Sequence, residues 1–207
     1  ALPPGTGMAD QLILVVERLL GEQRLTYRDL DVIAVNRGPG SFTGIRSAVA
    51  LARGLALAAG LPVLGVTSHE ALAAGLEQAD GRATMIALDA RRSEVYAQAF
   101  APDGHPGGDI ETKAPASVAA MLSEGRWRIV GSGAALVSAE LADDLDVETI
   151  ETPPVDAGMV MLAAAARLSA GETPARGFTL QPLYVRAPDA VPPTPLISTT
   201  TASEVLV

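Results

Sequence analysis

Between Met8 and Leu20 the apolar positions recur with helical spacing. Leu12, Val15, Val16 and Leu19 form one stripe, Ile13 and Leu20 widen it, and Gly21 supplies a stop. The stripe is broader than burial of one face requires. Asp31–Asn36 (DVIAVN) is a short apolar run with the pattern of a buried strand. After a glycine-rich loop, Gly44–Ala59 reads as a second helix that Gly60 and Pro62 end. Pro62–Thr67 is a further buried strand and Ser68–Leu76 a helix. Thr84–Asp89 and Ser93–Phe100 are two strands joined by Ala90-Arg91-Arg92. This alternation of strand and helix predicts an α/β layer.

At 101–108 (APDGHPGG) Gly and Pro accumulate, which marks a long loop or a domain edge. Beyond it the pattern predicts a helix over Pro115–Ser123, a strand over Trp127–Val130 and a turn at Gly131-Ser132-Gly133. A helix to about Ala142, a strand over Val147–Ile150, an Ala-rich helix over Ala157–Ala170 and a last short strand over Pro182–Arg186 follow. The expected organisation is a first α/β lobe at 1–100, a second at 101–186, and a disordered Pro/Thr/Ser-rich tail at 187–207. The first helix has almost nothing before it, and 1–100 holds few strands for a central sheet. An N-terminal β-hairpin region is therefore expected to be missing from this chain.

Composition narrows the chemistry. Hydrophobic residues are 48% of the 207, but aromatics only 3%, so the core must be built from Ala, Val, Leu and Ile. The net charge is -9, with 9 basic and 10 acidic side chains in 1–100 against 6 and 14 in 101–207. Such a chain is not expected to bind a polyphosphate backbone unaided, since that binding rests on Lys and Arg. There is no cysteine, which removes disulfides, thiolate nucleophiles and sulfur metal sites and fits a cytoplasmic location. The longest uncharged apolar stretch, Gly54–Val66, contains Pro62 and is too short to span a bilayer, so no membrane partner is expected.

Arg37–Arg46 (RGPGSFTGIR) follows a predicted strand and opens a predicted helix. Gly38, Gly40 and Gly44 let backbone approach a ligand, Ser41 or Thr43 can cap the helix, and free N–H groups at a helix start favour an anion. A plain strand-to-helix turn needs the same glycines and cap, and the segment is neither a P-loop nor a dinucleotide fingerprint. On the helix that follows, Ser47, Gly54 and Ala58 lie near one stripe, with Ala48, Ala52, Ala56 and Ala59 around it. A helix apolar nearly all round needs cover on more than one side. With the broad stripe of the first helix this points to a helix-pair surface for a partner, simple packing on the sheet being the alternative. Leu12, Val16, Leu19, Ser47, Leu51, Gly54 and Ala58 are its expected contact positions. His69 and His105 are the only histidines, stand apart and have no Cys, so no metal site is expected. Asp89 in Asp89–Tyr96 is a possible base or ligand, or the start of a turn with Arg91 and Arg92 solvated. No Ser–His–Asp set can be placed.

The block RGPGSFTGIR, with Ala50–Val66 (ALARGLALAAGLPVLGV) and Thr67–Ala71 (TSHEA), resembles the signature of the TsaB (YeaZ) family. Leu88–Tyr96 (LDARRSEVY) and Pro182–Ala187 (PLYVRA) are similar to its later blocks. The resemblance implies an actin/Hsp70/sugar-kinase-like fold of two α/β lobes. It also implies a non-catalytic partner that pairs with the transferase subunit TsaD through its first two helices. TsaE, an ATPase, joins them, and the assembly transfers threonylcarbamoyl to adenosine 37 of ANN-decoding tRNAs. No intrinsic cofactor is implied; ATP and metal belong to the partner subunits, tRNA is met only through the complex, and the isolated subunit pairs with itself. The family's N-terminal strands and their phosphate loop have no counterpart here. The competing readings are a glycoprotease-like hydrolase, which needs metal ligands or a nucleophile–base pair, and a small-molecule kinase of the same fold, for which Asp89 is the candidate.

Overall fold

The structure, a computed structural model, describes residues 8–76, 80–152, 154–176 and 179–186. The tail expected at 187–207 lies outside the described residues. Helix α1 (Met8–Glu22) leads through a 3-10 turn at Tyr27–Asp29 into β1 (Ile33–Gly38). Helix α2 (Phe42–Ala59) then crosses to β2 (Pro62–Thr67), which pairs parallel with β1. Gly60 closes α2 in the left-handed region at φ 71°, its N–H on the Ala56 carbonyl. Helix α3 (Ser68–Ala74) starts directly from β2 through a capping box in which Thr67 and Glu70 satisfy each other's backbone N–H.

A second sheet begins with β3 (Ala83–Arg91) and β4 (Glu94–Phe100), an antiparallel hairpin. Then come β5 (Glu111–Lys113), α4 (Pro115–Met121), β6 (Trp127–Val130), α5 (Ala134–Ser138) and β7 (Val147–Ile150). The sheet order is β5-β4-β3-β6-β7, with β3–β6 and β6–β7 parallel. Helix α6 (Ala157–Ser169) and β8 (Ala175–Arg176) return to the first sheet, whose order is β1-β2-β8.

Strand alternation sorts the core into layers. Met85, Ala87, Val95 and Ile129 of the second sheet meet Val118, Leu122 and Val137 of α4, α5 and their flanks. Ile86 and Val130 face the other way, toward Leu72 and Ala73 of α3. Leu64 and Val66 of β2 meet Ala71 of α3 and Val160, Ala163 and Ala164 of α6, while Val63 faces Val49 and Ala56 of α2. The order of layers is thus α2, first sheet, α3 with α6, second sheet, α4 with α5.

Two expectations change, and one alternative is decided. The sheets part between Thr67 and Ala83, not near residue 100: β3 and β4 bond to β6 and β5, so the hairpin belongs with the later strands. The Gly/Pro segment at 101–108 is a loop of that sheet, folded back so that Gly107 N–H donates to the Ala99 carbonyl at 2.8 Å. No strand forms over Pro182–Arg186. Pro182 has no N–H to donate, and the segment holds the first sheet through one bond, Leu183 N–H to the Arg37 carbonyl at 2.8 Å. The described strand that closes this sheet is the two-residue β8.

Candidate functional site

The loop between β1 and α2 is built from side chains of its neighbours. Gly38 has φ 109°, and a Cβ there would stand 3.3 Å from the Leu183 carbonyl oxygen, so glycine is required on both counts. Gly38 N–H donates to Asn36 Oδ1 at 2.8 Å; Asn36 Nδ2 donates to Ser68 Oγ at 2.9 Å, which donates to the Pro39 carbonyl at 2.6 Å. The Gly38–Pro39 bond is cis. Ser41 is the N-cap of α2, its Oγ accepting from Gly44 N–H at 3.3 Å. A Cβ on Gly44 would crowd that hydroxyl at 3.3 Å, whereas Gly40 has ordinary room, and Thr43 is exposed.

Gly40, Ser41 and Phe42 line one wall of a cleft of about 550 Å³; Asp89, Arg91 and Ser132 line the other. The structure thus brings Gly40 and Ser41 to one cleft with Asp89, whereas Gly38, Thr43 and Gly44 do not line it. Asp89 is engaged there by its own turn. Arg91, Arg92 and Ser93 are all left-handed (φ 63°, 56° and 58°). Asp89 Oδ1 accepts from Arg91 N–H at 2.7 Å, and its carboxylate pairs with the Arg91 guanidinium at 3.4 Å. His69 stands apart from this cleft. It is fully buried, and its Nε2 lies 3.0 Å from the Tyr96 carbonyl, so it carries the proton and donates it there. Nδ1 is buried without a partner, and burial pushes the pKa down to about 4. His105 is exposed and pairs with Asp103 at 3.2 Å. Among the described residues no group of three His, Cys, Asp or Glu is gathered as a metal site.

The second candidate is the surface of α1 and α2. Helix α2 buries Val49, Ala52 and Ala56 on its own sheet. On its remaining sides Ala50, Arg53, Gly54 and Ala58 are exposed, and Leu57 is 79% exposed. Helix α1 packs against α2 and leaves Leu14 and Leu19 exposed. Of the seven expected contact positions, Leu12, Val16, Ser47 and Leu51 are half-buried, and Leu19, Gly54 and Ala58 are exposed. A Cβ on Gly54 would meet nothing within 4 Å. A glycine inside a helix costs about 1 kcal/mol against alanine, and nothing among the described residues requires one here. By length and composition alone Phe42–Ala59 also passes as a membrane span.

One cluster at the start of α2 carries no signal in the sequence. The Arg46 guanidinium lies 3.8 Å over the Phe42 ring, and Arg46 Nε donates to Tyr184 Oη at 2.8 Å. Phe42 and Tyr184 are 59% and 52% exposed. Only the return of the chain to the first sheet brings Tyr184 here, so no local spacing betrays the cluster.

A family profile described as tRNA N6-adenosine threonylcarbamoyltransferase, TsaD, matches residues 8–167. The chain is 35% identical over 131 residues to the tRNA threonylcarbamoyladenosine biosynthesis protein TsaB of Escherichia coli, an alignment covering 59% of this chain and 56% of that protein. It is 36% identical over 185 residues to an uncharacterised protein of Mycobacterium tuberculosis, covering 89% and 77%. The solved structure of YeaZ from Pseudomonas aeruginosa superposes with a TM-score of 0.73 at 27% identity, over 85% of each chain. The two-sheet arrangement is the actin/Hsp70/sugar-kinase-like α/β fold.

Proposed function

This chain belongs to the TsaB (YeaZ) family, and from that premise we propose that it is a partner subunit, without a catalytic centre of its own, of the assembly that transfers threonylcarbamoyl to adenosine 37 of ANN-decoding tRNAs. The observation that carries this reading is the uncovered apolar surface of α1 and α2. Leu19 of α1 is exposed, and on α2 Leu57 is exposed one turn from Gly54, where an added Cβ would meet nothing within 4 Å among the described residues. Its partner on this surface is TsaD, which the family profile and the TsaB relatives support. In isolation a second copy takes the same place, and TsaE joins the working complex. ATP and metal are held by the partner subunits, and tRNA is reached through the complex, in keeping with the net charge of -9.

A cytoplasmic protein surface accounts for α2 better than a bilayer does. Arg53 is exposed on the same sides as Gly54 and Leu57, and a charge at mid-membrane is costly. The kinase reading asks for Asp89 to act in the cleft, and there Asp89 accepts from Arg91 N–H and pairs with the Arg91 guanidinium.

Two substitutions test the interface. Gly54→Leu fills a position open in the monomer, and Leu51→Arg places a charge where the partner must pack. Both are expected to abolish self-association and binding to TsaD while circular dichroism stays unchanged, and tRNA modification by the reconstituted complex fails with them. Sedimentation that shows an unchanged dimer mass for both variants defeats the proposal.

A further inference from the structure

Helix α2 carries two arginines and no acid, in a chain whose net charge is -9. Arg46, Ala50, Arg53 and Leu57 follow one another at helical spacing, and all are exposed. The two arginines stand two turns apart, about 10 Å along the axis, with the alanine between them. Arg46 donates through Nε to the neutral Tyr184 Oη, and the Arg53 side chain makes no hydrogen bond among the described residues. Neither guanidinium forms an ion pair among them.

Helix α1, which packs against α2, offers the opposite charge. Its Arg18 and Glu22 pair with each other at 3.6 Å. Glu17 is exposed, one turn on from the exposed Leu14, and makes no ion pair among the described residues. Two adjacent helices thus hold unpaired cations and an unpaired carboxylate, and the monomer does not bring them within ion-pair reach.

We propose that the α1–α2 surface seats a second copy of this chain crosswise, α1 of each copy lying on α2 of the other, with Glu17 of one copy against the Arg46 and Arg53 side of the other's α2. This rests on the reading of that surface as an interface and adds which helix meets which. A two-fold axis standing between two adjacent helices carries each onto the place of the other. The alternative, α2 on α2, sets arginine against arginine, and like charges facing each other at an interface are strongly disfavoured. Two arginines separated by alanine and followed by Gly54 and Leu57 suit a protein face of few charges. A polyphosphate backbone asks for a denser row of cations. Any other protein that replaces the second copy here must show an acid opposite these arginines.

The test is a charge exchange on the full chain. Glu17→Arg and the double variant Arg46→Glu with Arg53→Glu are purified separately, and sedimentation equilibrium measures the self-association of each and of their equimolar mixture. Each variant alone sets like charges face to face and is expected to self-associate about tenfold or more weakly than the wild type. In the mixture the facing charges are opposite again, and a heterodimer of about wild-type affinity is expected. All three positions are exposed, and circular dichroism checks the fold; should the double variant unfold, Arg53→Glu alone takes its place in the mixture. A wild-type chain that stays monomeric overturns the proposal together with the self-association on which it rests. A wild-type dimer that Gly54→Leu still breaks, with no gain on mixing the charge variants, overturns the crosswise pairing alone. So does wild-type binding to bulk tRNA or to phosphatidylglycerol vesicles that the arginine variant loses, since it assigns the arginines to a phosphate surface.

Discussion

Strand β3 of the second sheet carries five buried residues in nine, whereas β1 of the first carries one in six, and that one is Gly38. The second sheet has helices on both faces: α4 and α5 close one, α3 closes the other, and Met85, Ile86, Val95, Ile129 and Val130 are fully shielded. The first sheet also has helices on both faces, but the helix on its outer face, α2, is itself open to solvent over much of its apolar surface. The contrast separates two uses of hydrophobic residues. In the second sheet they hold the fold; around the first, part of them stays at the surface, where the proposed partner would pack.

The largest effect expected from this contrast is in the second sheet. Ile129→Ala removes a fully buried side chain from a closed core and is expected to cost about 2–5 kcal/mol. Leu57→Ala, at a residue 79% exposed, is expected to change the stability of the monomer by no more than about 0.5 kcal/mol. Urea denaturation at concentrations where the chain is monomeric measures both. Similar costs for the two would erase the distinction.

Much of the second sheet was legible because its signals are local. Trp127–Val130 and Val147–Ile150 are apolar or β-branched runs cut off by turn residues, and the predicted limits match the strands. Pro62–Thr67 is matched too, since Gly60 fixes its start and Thr67 with Glu70 caps the next helix. What failed depended on partners distant in sequence. Local spacing groups the β3–β4 hairpin with the strands before it, although β6 is the parallel neighbour of β3. Glu111–Lys113 has too few residues and too little apolar character to be read as a strand, and forms one only at the edge offered by β4. The glycine-rich loop was visible as a loop, but the hold of Ser68 on Pro39 was not.

A second prediction concerns the seam between the two sheets. His69 sits in α3, between them, and donates to the Tyr96 carbonyl of β4. Burial lowers its pKa in the folded chain to about 4 from an ordinary 6.5, because the charged ring would lose its water. Above pH 6.5 both folded and unfolded chains hold it neutral, and its contribution is fully present. As pH falls through 6.5 the unfolded chain takes up the proton first, so stability drops until the folded chain is protonated near pH 4. The loss over that window is on the order of 3 kcal/mol. Denaturation of the wild type and of His69→Gln at pH 7 and pH 4.5 isolates it. The histidine chain should lose more stability than the glutamine variant, and equal losses would remove His69 from the seam.

The smallest effect expected is at the open edge of the first sheet. Arg46 stacks on Phe42 at 3.8 Å and donates to Tyr184 Oη, which ties the start of α2 to the segment that follows β8. All three side chains are exposed, so water competes for the guanidinium, and an exposed cation–π contact contributes about 0.5–1 kcal/mol. Arg46→Met keeps most of the apolar stem while deleting the charge and the donor. It is expected to lower monomer stability by about 1 kcal/mol or less. Tyr184→Phe keeps the ring and deletes only the acceptor. In a double-mutant cycle the two should couple by a few tenths of a kcal/mol up to about 1 kcal/mol. The comparison between the sheets makes the sharper demand. If this cluster only trims the surface, the coupling stays that small. A coupling as large as the Ile129→Ala cost would mean that Arg46 and Tyr184, though exposed, hold the first sheet as firmly as buried residues hold the second.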